Sequence, residues 1–379
     1  MLYYRKGGSA NGVEMPSEPE LIEAAVKVAL HDRVKLKRGE NLLVECWPHG
    51  LPVAREAVYQ ARALGARPLL MVEDEQALFR SIETLKAGAT GAGAHEWAAL
   101  SKTNAYLFVP GPANLPHAWD LGPKWGAAFP SNDEWYTRAA RAKLRGVRML
   151  YGYASDERAA AYGIDPSEWR RMVLDAATVR PTEVRSPGAK LGRILQRGKS
   201  VRIRAGNGTD LTLGLAKRPT QVDDGSVSPQ DLKDGENMTQ APAGQLWVAP
   251  DERTAEGTFV ADRPSFSLGR PVKGAQFEFR GGKLVASAFA ERGDAFEKSF
   301  GNAKGDKDRV GMLIFGLNPK IQLGSPQDAI GAGTLTMTLG YNDELGGKNK
   351  TSFQFLAPNG RATVEVDGKA VISEGRLTL

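Results

Sequence analysis

A cysteine and a histidine lie close together after an apolar run. The segment reads Glu45-Cys-Trp-Pro-His49 and follows residues that begin at Asn41. A thiol beside an imidazole can become a thiolate nucleophile, and the carboxyl ends of strands in an open α/β sheet are where ligands collect. Cys46 and His49 are therefore candidate catalytic residues. The alternative is that Cys46 is a small packing residue and that His49 caps the following helix.

The other three histidines, His31, His95 and His117, do not have the spacing of a metal-binding pair such as HxxxH or HxH. His117 lies in a stretch rich in Pro, Gly and Trp that runs from Pro110 to Pro130. Such a loop can line a pocket for a flat or apolar ligand, or it can be a surface loop packed by its own aromatic rings. On the first interpretation His117 contacts substrate.

The C-terminal half carries a series of short, glycine-rich motifs. In chain order they are GTDL at 208–211, DDG at 223–225, PAGQLWVAP at 242–250, AEG at 255–257, GMLIFGLNP at 311–319, GTLTMTLG at 333–340 and TSFQF at 351–355. This order resembles the thermophilic metallo-aminopeptidase family, the aminopeptidase T and S group. The resemblance covers most of residues 190–379 and, more weakly, the N-terminal half. It implies a two-domain, usually dimeric protein whose active site faces an internal cavity.

The positions at which this family holds its metal ions carry other residue types here. Matched motif by motif, the two metal-binding glutamates fall on Gln245 and Met312, and the first histidine falls on Thr336. The closing His and Asp fall on Gln354 and Leu356. Divalent metals in hydrolytic sites need carboxylate and imidazole ligands, which these side chains cannot replace. We therefore predict no metal, no other cofactor and no two-metal peptidase mechanism.

The substitutions predict a neutral, hydrogen-bonding cavity in place of a cation site. If the framework keeps Gln245, Thr336 and Gln354 convergent, their amides and hydroxyl can orient a polar ring or amide and stabilise an oxyanion. We predict these three as catalytic, together with Cys46 and His49. The predicted substrate-binding residues are Met312, Trp247, Asn318, Tyr341 and His117. Charged neighbours that could act as acid, base or anion anchor are Asp251, Glu252, Glu256, Arg253 and Lys320.

Helical and strand patterns alternate up to about Pro187. The apolar spacing from Leu21 to Leu30 predicts a helix, 41–47 a strand, 53–64 a helix and 68–72 the next strand. A βαβ unit with short loops favours a parallel sheet with right-handed crossovers. Further predicted elements are strands at 105–109 and 148–151 and helices at 132–143 and 166–177.

The second half is rich in short apolar runs separated by Gly, Asp and Asn, which is typical of an antiparallel, β-rich domain. The predicted fold is an aminopeptidase T/S-like one. It has an α/β domain with a mostly parallel sheet at 1–185 and a β-rich α+β domain at 186–379, with the boundary near Pro181 and Pro187. The predicted strands of the second domain are 200–204, 211–215, 276–280, 283–289, 334–339, 351–356 and 363–366.

Composition is that of an ordinary globular protein, with 379 residues of which 41% are hydrophobic and 25% charged. The net charge of +6 is dispersed along the chain, which argues against nucleic-acid binding. The single cysteine excludes an intramolecular disulfide, and no apolar run reaches the roughly 18 residues that a membrane span requires. We expect a cytoplasmic homodimer that acts on a small-molecule substrate and binds neither nucleic acid nor membranes.

Three functions remain open from the sequence. The first is a metal-independent hydrolase that cleaves a C–N or amide bond, or opens a ring, in a small polar or aromatic molecule. The family's similarity to iron-dependent 2,5-dihydroxypyridine dioxygenases implies that a related fold can serve ring catabolism, although the matching His and Asp are replaced here. The alternatives are a non-catalytic binding homologue and a metallo-aminopeptidase or ring-cleaving dioxygenase with relocated ligands.

Overall fold

The structure is a computed structural model and describes residues 16–379. The helices of this range are α1 (Glu18–Val28), α2 (Leu51–Ala63), α3 (Glu75–Thr84), α4 (Ala94–Ser101), α5 (Leu115–Asp120), α6 (Pro123–Gly126), α7 (Asn132–Arg141), α8 (Asp156–Tyr162), α9 (Pro166–Ala177), α10 (Pro181–Arg197), α11 (Pro229–Asp234) and α12 (Gly293–Asn302). A π-helix, Ala29–Arg33, extends α1, and short 3-10 turns lie at Pro48–Gly50, Leu150–Tyr153, Asp328–Ile330 and Asp343–Leu345. None of these helices is long and apolar enough to cross a membrane, as judged on residues 16–379.

The strands of the same range form three sheets. They are β1 (Asn41–Cys46), β2 (Arg67–Val72), β3 (Ala105–Val109), β4 (Arg145–Met149), β5 (Ser200–Ala205), β6 (Thr209–Gly214), β7 (Thr220–Asp223), β8 (Met238–Ala241), β9 (Gln245–Val248), β10 (Asp251–Val260), β11 (Gln276–Arg280), β12 (Lys283–Ala288), β13 (Val310–Gly316), β14 (Leu335–Gly340), β15 (Gln354–Asn359), β16 (Thr363–Val366), β17 (Lys369–Ser373) and β18 (Arg376–Leu377).

The first sheet is parallel, with the strand order β2-β1-β3-β4-β8. Successive side chains of a strand point to opposite faces. Leu42 and Val44 therefore enter an apolar core with residues of α1, α2 and α9, whereas Leu43 and Tyr106 pack on the other face with residues of α4 and α7. The parallel sheet predicted for the N-terminal half is confirmed, and the predicted strand at 105–109 has the observed bounds.

The other two sheets are antiparallel and pack face to face. The second sheet has the order β12-β11-β10-β6-β5-β16-β17-β18, and the third has the order β15-β14-β13-β9-β7. Their shared core is rich in phenylalanine, including Phe259, Phe277, Phe315 and Phe355, which are all fully buried. The β-rich character predicted for the second half is confirmed.

The two halves of the chain are connected by more than one segment. Helix α10 is continuous through the predicted boundary: Pro181 lies in its first turn, where the missing N–H costs nothing, and Pro187 lies inside the helix. Strand β8 comes from the second half of the sequence but pairs with β4 of the parallel sheet. This return of the chain brings the edge of the parallel sheet next to the third sheet.

Candidate functional site

A polar cavity of about 760 Å³ lies where the β8 edge of the parallel sheet meets the β7 edge of the third sheet. Its walls come from four strands and from the β7–β8 connection, which contributes Ser226, Ser228 and Asp231. The strand residues that line it are Arg148, Met238, Thr239, Gln240, Gln221, Val222, Asp223, Gln245 and Trp247.

Asp223 and Gln245 are direct cross-strand partners in this cavity. They pair in the antiparallel register of β7 and β9, and both line the cavity. Residues opposite each other in such a pair have Cβ atoms roughly 5 Å apart on the same face of the sheet. The register therefore sets a carboxylate beside a carboxamide, and both face the same ligand space.

The Asp223 carboxylate is held by neutral donors. Its Oδ1 accepts a hydrogen bond from the Gly225 backbone N–H at 3.1 Å and from the Thr239 hydroxyl at 3.4 Å. Its Oδ2 accepts one from Gln240 Nε2 at 3.4 Å. Burial raises the pKa of Asp223 to about 6, against the lowering effect of the Gly225 N–H and of the positive charge of Arg33. A carboxylate with such a pKa is ionised at neutral pH and still basic enough to accept a proton.

Arg33 stabilises the ionised Asp223 carboxylate through its positive charge and holds the main chain at Gly225. Its guanidinium is buried and donates to the carbonyl oxygens of Gly225, Ala177 and Val179 at 2.9–3.1 Å. Burial lowers the pKa of Arg33 to about 10, so the group remains charged at neutral pH. Gly225 has φ +82°, and a Cβ atom there would lie 1.8 Å from Arg33 Nη1. Only glycine fits this turn, which fixes the main chain directly after Asp223.

Trp247 sets the orientation of the Gln245 amide. The indole Nε1 donates to Gln245 Oε1 at 2.9 Å. An indole N–H can only donate, so the amide oxygen must face it and the amide NH₂ is left for another acceptor. Gln245 therefore presents a hydrogen-bond donor next to the Asp223 carboxylate. This pair can activate a water molecule and stabilise an oxyanion.

Asn318, which we predicted to bind substrate, has a structural role. Its fully buried amide donates to Ala176 O at 3.1 Å and Ala243 O at 2.8 Å, and its Oδ1 accepts from Lys320 N. All of its hydrogen-bonding groups are thus used by the main chain. The main chain of Gly244 packs directly against Asn318, because a Cβ atom at Gly244 would lie 2.9 Å from Asn318 N. The residue positions the turn that leads into Gln245 and leaves nothing for a ligand.

The positions that the family resemblance assigns to metal ligands share one face of the third sheet but not one cavity. The register places Thr336 beside Ile314 and Trp247 in one row, whereas Gln354 pairs with Gly340. From strand and residue spacings Gln354 lies on the order of 20 Å from Gln245. We expected Gln245, Thr336 and Gln354 to face one cavity together with Met312, but of these four Gln245 alone lines the polar cavity. The single cavity that we expected is therefore not formed.

Met312 and Thr336 are buried away from the polar cavity. Met312 packs in a small apolar cluster with Ile314 and Leu345, and the Thr336 hydroxyl is buried without a hydrogen-bond partner. Within residues 16–379, no group of three or more His, Cys, Asp or Glu side chains could hold a metal ion. The residues at the inherited positions do not fit the metals of the family.

Cys46 and His49 do not form a catalytic pair. Cys46 is fully buried in the apolar core, and burial together with the charge of Glu45 raises the pKa of its thiol to about 11. The thiol is therefore protonated at neutral pH. His49 Nε2 lies 2.8 Å from Gly152 O, a main-chain partner. The interpretation of Cys46 as a packing residue is the one that the structure favours.

His117 and Tyr341 also lie outside the polar cavity. His117 Nε2 is 3.0 Å from Glu83 Oε1, and its ring packs edge-on against Phe79. The predicted loop from 110 to 130 folds into the short helices α5 and α6. The Tyr341 hydroxyl donates to Glu344 at 3.4 Å. Neither side chain contacts the groups around Asp223.

The charged residues proposed from the sequence are engaged elsewhere. Glu252 forms a buried ion pair with Arg218 at 2.7 Å, and Lys320 contacts Asp175 at 2.8 Å. Glu256 accepts the Gly281 N–H. The acid or base that sequence reasoning missed is Asp223. The DDG motif contains it, but the signal that identifies it is its register with Gln245, which requires knowing that β7 pairs with β9.

Residues 189–311 match the family model of the thermophilic metalloproteases (M29). The resemblance read from the sequence motifs is confirmed, and the chain is M29-like. Among solved structures it matches wild-type AmpT from Thermus thermophilus with a TM-score of 0.71 at 17% identity, over 96% of this chain and 100% of that one. It also matches 2,5-dihydroxypyridine dioxygenase from Pseudomonas putida KT2440, with a TM-score of 0.60 at 16% identity, over 96% of this chain and 98% of that one. These likenesses establish the fold. No curated protein sequence matches the chain significantly.

Proposed function

We propose that this protein is a metal-independent hydrolase that cleaves an amide or related C–N bond of a small polar molecule in the polar cavity. The observation that carries the proposal is the pairing of the Asp223 carboxylate with the Gln245 amide on one cavity wall. The fold and the family match support the broader class, a metallopeptidase-like hydrolase. Asp223 and Gln245 supply the finer assignment.

The reaction needs a base, a hydrogen-bond donor to the oxyanion and an acid. Asp223 takes a proton from water as the water oxygen bonds to the substrate carbonyl carbon. The carbonyl oxygen becomes an oxyanion that accepts a hydrogen bond from Gln245 Nε2. The C–N bond then breaks, and the protonated Asp223 returns its proton to the leaving nitrogen. Water and amide are consumed, and a carboxylic acid and an amine are formed.

Two cations in the cavity wall offer a site for an anionic group of the substrate, beside the four carboxylates of Asp223, Asp224, Asp231 and Glu236. Arg185 is paired with Asp224 at 2.6 Å, and Asp231 caps α11 through the Ser228 N–H. Lys35 and Arg148 also line the cavity and have no ion-pair partner among residues 16–379. They can hold a substrate carboxylate while Trp247 packs against its apolar or aromatic part.

A non-catalytic binding protein would use the same cavity without Asp223 acting as a base. The two functions are separated by turnover of a panel of small amides, measured with the wild-type protein and Asp223→Asn. The proposed hydrolase should release amine, and Asp223→Asn should reduce kcat by at least about a hundredfold, the scale of general base catalysis. Asp251→Asn, at the start of β10, is the matched control. Equal turnover by Asp223→Asn and the wild type would refute the proposed base.

The homodimer implied by the family resemblance forms part of this proposal. Strand β2 is an edge of the parallel sheet, and its Leu69, Leu70 and Val72 are exposed by 50%, 36% and 48%. An exposed apolar edge strand invites pairing with another chain. We propose that a second copy of the protein covers it.

A further inference from the structure

A second cavity, of about 290 Å³, lies on the parallel sheet on the face away from its main core. Its floor is formed by alternate residues of β1, β2 and β3, and its walls by α4 and α7. Of its lining residues the hydrolytic proposal uses Arg148 alone. Its lining includes seven aromatic residues and three glutamates.

The aromatic rings form a connected group. The rings of Tyr106 and Trp135 are 4.9 Å apart, Tyr106 stacks on Phe108 at 6.0 Å, and Trp135 meets Tyr136 edge-on at 5.2 Å. Trp47 and Trp97 line the same space. The faces of such rings carry partial negative charge and attract cations. The protein itself uses this attraction at the outer side, where the Arg138 guanidinium lies 4.5 Å from the Trp97 ring centre.

Three glutamates face the same cavity. They are Glu45, at the end of β1, Glu73, just after β2, and Glu96, on α4. Glu45 Oε2 accepts a hydrogen bond from the Tyr106 hydroxyl at 2.8 Å. Burial, and then the charges of Glu73 and Glu96, raise the pKa of Glu45, and burial and Glu96 raise that of Glu73. The three carboxylates therefore repel one another, and a cation in the cavity would relieve this repulsion.

Protein cations do not satisfy these glutamates. From residue 16 onward, no lysine or arginine forms an ion pair with any of the three, and the partner of Glu96 is the exposed His95 at 3.8 Å. The cavity contains one guanidinium, Arg148, whose Nη2 donates to the Tyr136 hydroxyl at 3.1 Å. Three carboxylates against one guanidinium leave the cavity negative when all are ionised.

The arrangement distinguishes an organic cation from a metal ion. Three carboxylates that converged on one point would suit Ca²⁺ or Mg²⁺. In the part of the chain that the structure describes, no three acidic, histidine or cysteine side chains are grouped closely enough for that. Carboxylates spread around aromatic walls suit a larger, weakly hydrated cation.

We propose that this cavity binds an organic cation of the alkylammonium class, which lies against the adjoining rings of Trp135 and Tyr106 on one side and faces the carboxylates of Glu45 and Glu73 on the other. Arg148 and Met238 line both this cavity and the polar cavity around Asp223, so the two sites adjoin. The bound cation lies next to the hydrolytic site without being its substrate. The proposal therefore does not depend on the proposed hydrolysis.

The test compares choline with its uncharged isostere 3,3-dimethylbutan-1-ol, by calorimetry and by the fluorescence of the cavity tryptophans. Because the two probes differ only in charge, we expect choline to bind at least about tenfold more tightly. Glu73→Gln should weaken choline binding by about tenfold and leave binding of the isostere unchanged. Glu297→Gln, an exposed glutamate of α12 outside the cavity lining, is the matched control.

A ring variant tests the aromatic walls separately. Trp135→Leu should weaken choline binding by about tenfold, and Trp135→Phe, which keeps a ring, should weaken it less. A thermal melt of each variant shows whether it is folded, and the milder Glu73→Gln and Trp135→Phe variants are decisive if Trp135→Leu unfolds. Equal affinity for choline and its isostere, or no detectable choline binding by the folded wild-type protein at millimolar concentration, would overturn the proposal.

Discussion

The indole N–H of Trp247 donates to the side-chain oxygen of Gln245 at 2.9 Å, and this hydrogen bond fixes which end of the amide faces the polar cavity. The cross-strand partner of Gln245 is Asp223. A donor held in one orientation beside a carboxylate is what hydrolysis without a metal requires. The proposed metal-independent hydrolysis would thus use a position that the family resemblance assigns to a metal ligand.

Removing the indole donor should reduce catalysis without removing the amide. We expect Trp247→Phe to lower kcat/KM by about threefold to tenfold, the cost of one hydrogen bond. Gln245→Ala, which removes the oxyanion donor, should lower kcat by about a hundredfold or more. Steady-state kinetics of both variants check this order. A larger loss for Trp247→Phe than for Gln245→Ala would contradict the proposed roles.

The pH dependence of hydrolysis should report the ionisation of Asp223. A general base must be deprotonated, and the pKa of Asp223 is raised to about 6 by burial. We therefore expect kcat/KM to rise with pH below about 6 and to level off above it. The measurement is a pH profile of kcat/KM with one amide substrate. A profile that is flat between pH 5 and 8 would exclude Asp223 as the base.

Gln245→Glu offers a sharper form of the same test. It restores the residue type of the family at this position and places a second carboxylate beside Asp223. Like charge raises the pKa of a neighbouring carboxyl group, so the rising part of the kcat/KM profile should move to higher pH. Glu252→Gln, in the ion pair with Arg218, is remote from the cavity and should leave the position of the profile unchanged.

The ionised Asp223 side chain should lower the free energy of unfolding at neutral pH. Its folded-state pKa is above the unfolded value of 3.8, so the folded protein holds the proton more tightly and its stability falls as pH rises from about 4 to 6. Asp223→Asn lacks this loss. Its free energy of unfolding relative to wild type should rise by about 1–3 kcal/mol between pH 4.5 and pH 8. Urea unfolding at both values measures it, and a pH-independent difference would contradict the raised pKa.

The proposed dimer predicts a change of mass in solution. Val72→Lys places a charge on the exposed edge strand β2, where it would be buried against a second copy. We expect light scattering to show a dimer for wild type and a monomer for Val72→Lys at micromolar concentration. Val285→Lys, an exposed apolar residue on β12, is the control. If the wild type and Val72→Lys were both monomers, or both dimers, β2 would not be the interface.

Much of the fold could be predicted from short-range patterns. The apolar run Ala105–Val109 is a buried strand with the predicted bounds, and Pro166–Ala177 is a helix with the predicted bounds. Strand β8 was not predicted, because Met238–Ala241 contains two polar residues and pairs in parallel with a strand almost a hundred residues earlier. Pro187 predicts a break in the chain, but α10 continues through it, with buried Val184, Leu191 and Leu195 packing on both sides of the proline.

The candidate site was harder to predict, since it depends on register. The sequence identified Gln245 as a former ligand position, and the structure places it in a cavity. The sequence alone could not show that Gln354 lies several residues away from Gln245 along the sheet. Nor could it show that the Asn318 amide donates both of its hydrogen bonds to main-chain carbonyls. Asp223 belongs to a motif in the sequence, but its raised pKa arises from burial, which pattern alone does not reveal.

The most direct test of metal-independent hydrolysis is the turnover of an amide substrate by protein that has been stripped with a chelator and shown by elemental analysis to contain no zinc, cobalt, manganese or iron. Because Asp223 and Gln245 supply the base and the oxyanion donor, we predict that the stripped protein retains the full kcat of the untreated protein. Loss of turnover on stripping, with recovery when zinc or cobalt is added back, would contradict the proposal.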